Sequence, residues 1–106
     1  MIKKYMPKLY EYFGLVIFFF ANEHEPIHVH GRYQNSEVKA EIIVERGKVI
    51  EIRIKTIRGK KTLPQAQLAD FRKLVTHHAD EIVQKWIDFF VLGKQIKPKT
   101  INRRIK

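Results

Sequence analysis

Residues 37–55 read Glu37-Val38-Lys39-Ala40-Glu41-Ile42-Ile43-Val44-Glu45-Arg46-Gly47-Lys48-Val49-Ile50-Glu51-Ile52-Arg53-Ile54-Lys55. Val38, Ala40, Ile42 and Val44 recur at every second position, and Ile50, Ile52 and Ile54 repeat the pattern. A period of two belongs to a strand with one face turned to a core. Arg46-Gly47-Lys48 separates the two runs, and its glycine supplies the positive φ of a tight hairpin turn. The segment predicts an antiparallel hairpin in a sheet covered on one side, with Ile50, Ile52 and Ile54 pointing inward.

The pattern extends upstream. In residues 27–33, Ile27, Val29 and Tyr33 fall on one face, and His28, His30 and Arg32 on the other. Gln34-Asn35-Ser36 reads as the turn that follows. Residues 10–20 are rich in aromatic and β-branched side chains, as expected of a strand buried on both faces. Gly14 within them marks a bend, a bulge or a close backbone approach. Residues 21–26 form a polar connection containing Asn22 and Pro26.

Downstream the period changes. Pro64 suits a first helical turn with Thr62 as the nearby cap, and Leu68, Phe71 and Val75 recur at helical spacing. His77 and His78 end this helix, where a cation complements the dipole. Asp80 and Glu81 open a second helix that runs to about Leu92, with Gly93 as its C′ residue. Eight of the eleven residues 82–92 are apolar. That face is wider than a surface helix needs, so it serves the core or a partner, including a second copy of the chain. The expected fold is α+β: a three- or four-stranded antiparallel sheet followed by two C-terminal helices. Residues 1–93 form the domain, and residues 94–106 form a basic tail that orders on binding.

Composition sets the outer bounds. The 106 residues suffice for one domain, and 44% hydrophobic content excludes wholesale disorder. The absence of cysteine excludes a disulfide framework and thiolate zinc sites, and fits a reducing cytoplasm. The longest apolar run, residues 13–21, is far short of the roughly 20 residues of a bilayer span. The first five residues lead into charge rather than into the apolar core of a secretory signal.

The net charge of +10 is concentrated. Residues 53–61 carry Arg53, Lys55, Arg58, Lys60 and Lys61 with no acid, and residues 94–106 carry Lys94, Lys97, Lys99, Arg103, Arg104 and Lys106 with no acid. The remainder is nearly neutral. Fields focused in this way attract RNA and other polyanions, or an acidic protein surface. A solvated loop and a frayed terminus are the bland alternative.

His24, His28 and His30 form the one concentrated set of chemical side chains. Three readings of them stand open. Three imidazoles suit zinc, although no acidic ligand follows at a telling spacing. Alternatively, a histidine takes the proton of an RNA 2′-hydroxyl while Arg32 holds phosphate bidentately, which needs no metal. In the third reading the histidines hydrogen-bond neighbouring strands and fix the fold. No glycine-rich phosphate loop, Gly-x-Ser-x-Gly elbow or His-Glu-x-x-His helix occurs, and no cofactor is called for.

Phe13-Gly14-Leu15-Val16-Ile17, followed by Asn22-Glu23-His24-Glu25-Pro26-Ile27-His28-Val29-His30, resembles the small bacterial proteins of the domain of unknown function family 4160. The Trp86-bearing helix and the Met6-Pro7 pair extend the resemblance over residues 6–93. The present chain has Glu25-Pro26-Ile27 where many relatives have consecutive prolines. The resemblance implies no established activity. It implies, by analogy of size and genomic setting, a nucleic-acid-directed component of a toxin–antitoxin module, with an RNA-cleaving toxin as the sharpest form. In that form His24, His28 and His30 are the acid–base candidates, Arg32 holds phosphate, and the two basic segments make the electrostatic track. The alternatives are a non-catalytic module that binds an acidic partner and, third, a metal-dependent enzyme.

Overall fold

A computed structural model describes residues 6–20 and 27–105. Its strands are β1 (Lys8–Tyr12), β2 (Leu15–Phe18), β3 (His28–Tyr33), β4 (Ser36–Glu45), β5 (Lys48–Thr56) and β6 (Lys99–Thr100). Two helices, α1 (Gln65–His77) and α2 (Ala79–Trp86), follow β5. The strands form one sheet in the order β5-β4-β3-β2-β1-β6. Every neighbouring pair is antiparallel except β1 and β6, which run parallel.

The fold is therefore α+β with two C-terminal helices, as expected, but its sheet is six-stranded and mixed, not three- or four-stranded and antiparallel. Two features account for the difference. Residues 10–20 are not one strand. They turn at Phe13-Gly14, whose φ angles of 46° and 86° are those of a tight hairpin with two left-handed positions. Phenylalanine is an unusual first residue there, so the usual Asn-Gly signal is absent. The second feature is β6, which comes from the segment read as a tail.

Strand register explains which side chains meet the helices. Ile17 lies opposite Gly31, Gly31 opposite Val38, and Ala40 opposite Ile54. These residues share the face with Tyr10, Tyr12, Leu15, Val29 and Ile42, under Phe71, Leu74 and Val75 of α1 and Ile82 of α2. Fully burying each large apolar side chain contributes about 1.5–3 kcal/mol. Gly31 is required by this packing, since a Cβ there would stand 2.4 Å from Cδ1 of Phe71.

Three local expectations change. Ile50 is 55% exposed, because an irregularity between Ile43 and Val44 places Val49 opposite Val44 and turns Ile50 out. Thr62 does not cap α1; Pro64 occupies the N-cap with no side-chain hydrogen bond. The second helix leaves α geometry after Trp86 and ends in a π-helical turn, Ile87–Val91. Leu92 N–H donates to Ile87 O at 3.0 Å, and Gly93 follows at φ 67°. The wide apolar face of residues 82–92 is divided. Ile82, Val83, Trp86, Phe89 and Phe90 pack on the core, whereas Val91 and Leu92 are exposed.

Residues 94–105 lie along the β1 edge. Ile101 N–H donates to Glu11 O at 2.8 Å and Ile105 N–H to the Tyr12 hydroxyl at 3.1 Å. Ile96, Ile101 and Ile105 pack against the core, and Arg104 bonds Asp70 of α1 at 3.0 Å. Among the described residues no helix is long and apolar enough to cross a membrane.

Candidate functional site

The face of β3 turned away from the helices carries His28, His30 and Arg32, as the alternation predicts. Both histidines are buried, at 6% and 3% exposure. His30 stacks on Phe18 with ring centroids 5.4 Å apart and meets the edge of Phe20 at 4.5 Å. The His28 and His30 rings stand 5.4 Å apart. His24 lies outside the described residues. Among the described residues, no group of three or more His, Cys, Asp or Glu side chains could hold a metal ion.

The organising group of this face is Glu37. Its Oε2 lies 3.3 Å from His30 Nδ1, and its Oε1 accepts from Arg32 Nε at 3.0 Å and Nη2 at 2.8 Å. Glu37 is 3% exposed, and a carboxylate so placed is stable only when paired and hydrogen-bonded. Sequence reading missed it. A turn confined to Gln34-Asn35 pairs Tyr33 with Ser36 and sets Arg32 opposite Glu37. Taking residues 34–36 together as the turn hides that pairing. The Arg32 guanidinium also lies 4.9 Å from the centre of the Phe18 ring.

The first basic segment divides. Arg53 pairs with Glu51 at 2.8 Å and Lys55 with Glu41 at 3.0 Å, on the exposed side of the sheet. Arg58 is exposed. Lys60 and Lys61 join Arg32, Gln34 and Asn35 around an open cleft of about 640 Å³, whose wall includes Glu37. The Glu37 N–H donates to Lys61 O at 2.9 Å and ties this loop to β4.

The second basic segment meets a different partner. Lys99, Arg103 and Arg104 line a cleft of about 430 Å³ with His77 and His78. A second cleft of about 360 Å³ is lined by Arg72, Lys73, Thr76, His77 and Ile105. His77 and Ile105 belong to both, so the two make one furrow between the end of α1 and residues 99–105. Among the described residues no carboxylate lines it. The neighbouring Asp70 is paired with Arg104, and Glu81 accepts a short hydrogen bond from the Tyr10 hydroxyl. Lys94 and Lys97 are exposed and stand outside the furrow lining.

His78 forms the inner wall, stacked on Tyr10 at 4.7 Å. Burial holds its pKa below the ordinary value, with His77 and Lys99 adding to the depression and Glu81 opposing it. The Tyr10 bond lowers the Glu81 pKa, while burial and that same bond raise the Tyr10 pKa. His77 and His78 read from sequence as helix-end charges; the approach of residues 99–105 makes them part of a cleft.

Only the first basic segment borders the histidine face: Arg53 is in register with Glu41 and His28, and Lys55 with Lys39 and His30, whereas the second segment lies elsewhere. The two segments occupy opposite edges of the sheet, about 24 Å apart at the usual strand spacing. Lys60 and Lys61 share a cleft with Arg32 of the inner strand β3, and Lys99, Arg103 and Arg104 share one with His77 and His78 at the far edge.

No curated protein and no solved structure matches the chain. A family model described as a domain of unknown function (DUF4160) matches residues 14–87, which run from the β1–β2 turn through α2. The chain belongs to the domain of unknown function family 4160.

Proposed function

We propose that this protein binds RNA through the furrow between α1 and residues 99–105. The observation that carries this reading is a continuous lining with five cationic side chains (Arg72, Lys73, Lys99, Arg103 and Arg104) and, among the described residues, no carboxylate. Such a surface attracts any polyanion, and a regular phosphate chain most strongly, because each phosphate contact releases condensed counterions. The Arg32–Lys60–Lys61 cleft is less suited to this role: its arginine is already held twice by Glu37, and that carboxylate opposes an incoming anion.

The toxin–antitoxin setting implied by the family resemblance belongs to this reading, with RNA cleavage as its sharper form. In that form His77 and His78 are the imidazoles beside the bound strand, while His30 borders the Glu37 carboxylate and His28 packs beside His30. The opposing reading, capture of an acidic protein segment, uses the same furrow.

Fluorescence anisotropy with labelled RNA at low salt tests the proposal. The Arg72→Gln, Lys99→Gln, Arg103→Gln variant loses at least about tenfold in affinity, at roughly 0.5 kcal/mol or more for each contact removed. The Lys60→Gln, Lys61→Gln variant binds nearly as wild type does. Equal losses in both, or no binding by wild type, overturn the reading. RNA recovered intact after long incubation with wild type removes cleavage and leaves binding.

A further inference from the structure

We infer that the furrow selects single-stranded RNA, with Phe13 as the platform on which a base stacks; this inference rests on the RNA-binding reading above. Phe13 stands at the tip of the β1–β2 turn and is 49% exposed. It occupies a left-handed backbone position, φ 46°, which a bulky side chain rarely adopts. Asparagine or aspartate before glycine is the sequence this turn favours. Phe13 also lies outside the hydrophobic core cluster, so core packing does not offset the cost of its conformation.

The ring is held and connected. Tyr12 meets it edge-on with centroids 4.8 Å apart, and the Arg104 guanidinium lies 4.2 Å from its centre. Arg104 is a wall of the furrow; it also lies 5.4 Å from the centre of the Tyr12 ring, and its ion pair with Asp70 fixes it from α1. The basic track thus runs directly to an exposed aromatic ring. A groove that follows phosphates and ends on an aromatic face is the combination that binds single strands, since an unpaired base can leave its neighbours and stack on the ring. Bases inside a duplex are stacked on one another and present no free face. The exposed ring offers little to an acidic peptide, which has charge but no aromatic face to stack on it.

The test is anisotropy with a labelled oligouridine and with an RNA duplex of equal length, at one salt concentration, for wild type, Phe13→Asn and Phe13→Trp. Wild type prefers the single strand. Phe13→Asn loses about tenfold on oligouridine and keeps duplex affinity, while Phe13→Trp restores binding. The thermal midpoint of Phe13→Asn is at least that of wild type, because Asn-Gly suits the turn. A weakened fold therefore cannot be the source of its lost affinity. Unchanged oligouridine binding by Phe13→Asn, a wild-type preference for duplex, or equally effective displacement by polyglutamate overturns the inference while leaving the furrow basic. Failure of wild type to bind either RNA overturns the RNA-binding reading and this inference with it.

Discussion

Gly31 and Tyr10 show how single residues carry the fold. At Gly31 the sheet and α1 approach so closely that any Cβ displaces the Phe71 ring. Gly31→Ala is expected to destabilise by about 1–3 kcal/mol in chemical denaturation, the usual cost of overpacking. A second change, Phe71→Leu, should recover part of that loss as a non-additive coupling between contacting residues. Tyr10 joins β1 to α2 through Glu81 and stacks on His78. Its pKa is raised, so folding is favoured below the ordinary tyrosine value of 10.0 and that contribution fades as pH climbs above it. His78 has the opposite sense. With its pKa lowered from 6.5, the unfolded chain binds more protons, and stability falls as pH drops below that value. The lowered Glu81 pKa adds a further loss as pH falls below 4.5. Stability measured against pH is expected to show a plateau between these limits, and Tyr10→Phe should flatten its alkaline side.

At the scale of elements, residues 94–105 change most on passing from sequence to structure. They cover the β1 edge, and their isoleucines complete the core beside Tyr12. Deleting residues 95–106 is expected to lower the thermal midpoint and to increase scattering, because an exposed β1 edge is a template for pairing with another chain. A midpoint equal to that of the full chain would show that this segment adds nothing to the fold. The segment was legible in sequence only as charge: a two-residue strand in parallel pairing has no periodic pattern to read. The β4–β5 hairpin was legible because alternation and Gly47 agree. The β1–β2 hairpin was not, because Phe13 stands where a turn residue is expected. The same contrast holds at the candidate sites. Arg32 and its face follow from strand period, but Glu37 emerges only once the turn is confined to two residues. His77 and His78 become furrow walls only through contact with a segment more than twenty residues further along the chain.

For the whole molecule, the sheet separates two basic edges. At the β5 edge Arg53 and Lys55 are answered by Glu51 and Glu41, while Lys60 and Lys61 share their cleft with the Glu37 carboxylate that holds Arg32. At the β6 edge the furrow cations Arg72, Lys73, Lys99 and Arg103 form no ion pair among the described residues. The carboxylate-free furrow gives the excess charge a direction, and under the RNA-binding proposal a polyanion is drawn to that edge. Directional charge has a thermodynamic signature: the salt dependence of binding counts the phosphates contacted. The most direct measurement is the slope of log affinity against log salt for single-stranded RNA, in wild type and in the Arg72→Gln, Lys99→Gln, Arg103→Gln variant. The account predicts a steep wild-type slope that falls by about 2 in the variant, at roughly 0.7 per lost phosphate contact. A slope that is the same in both proteins would contradict it.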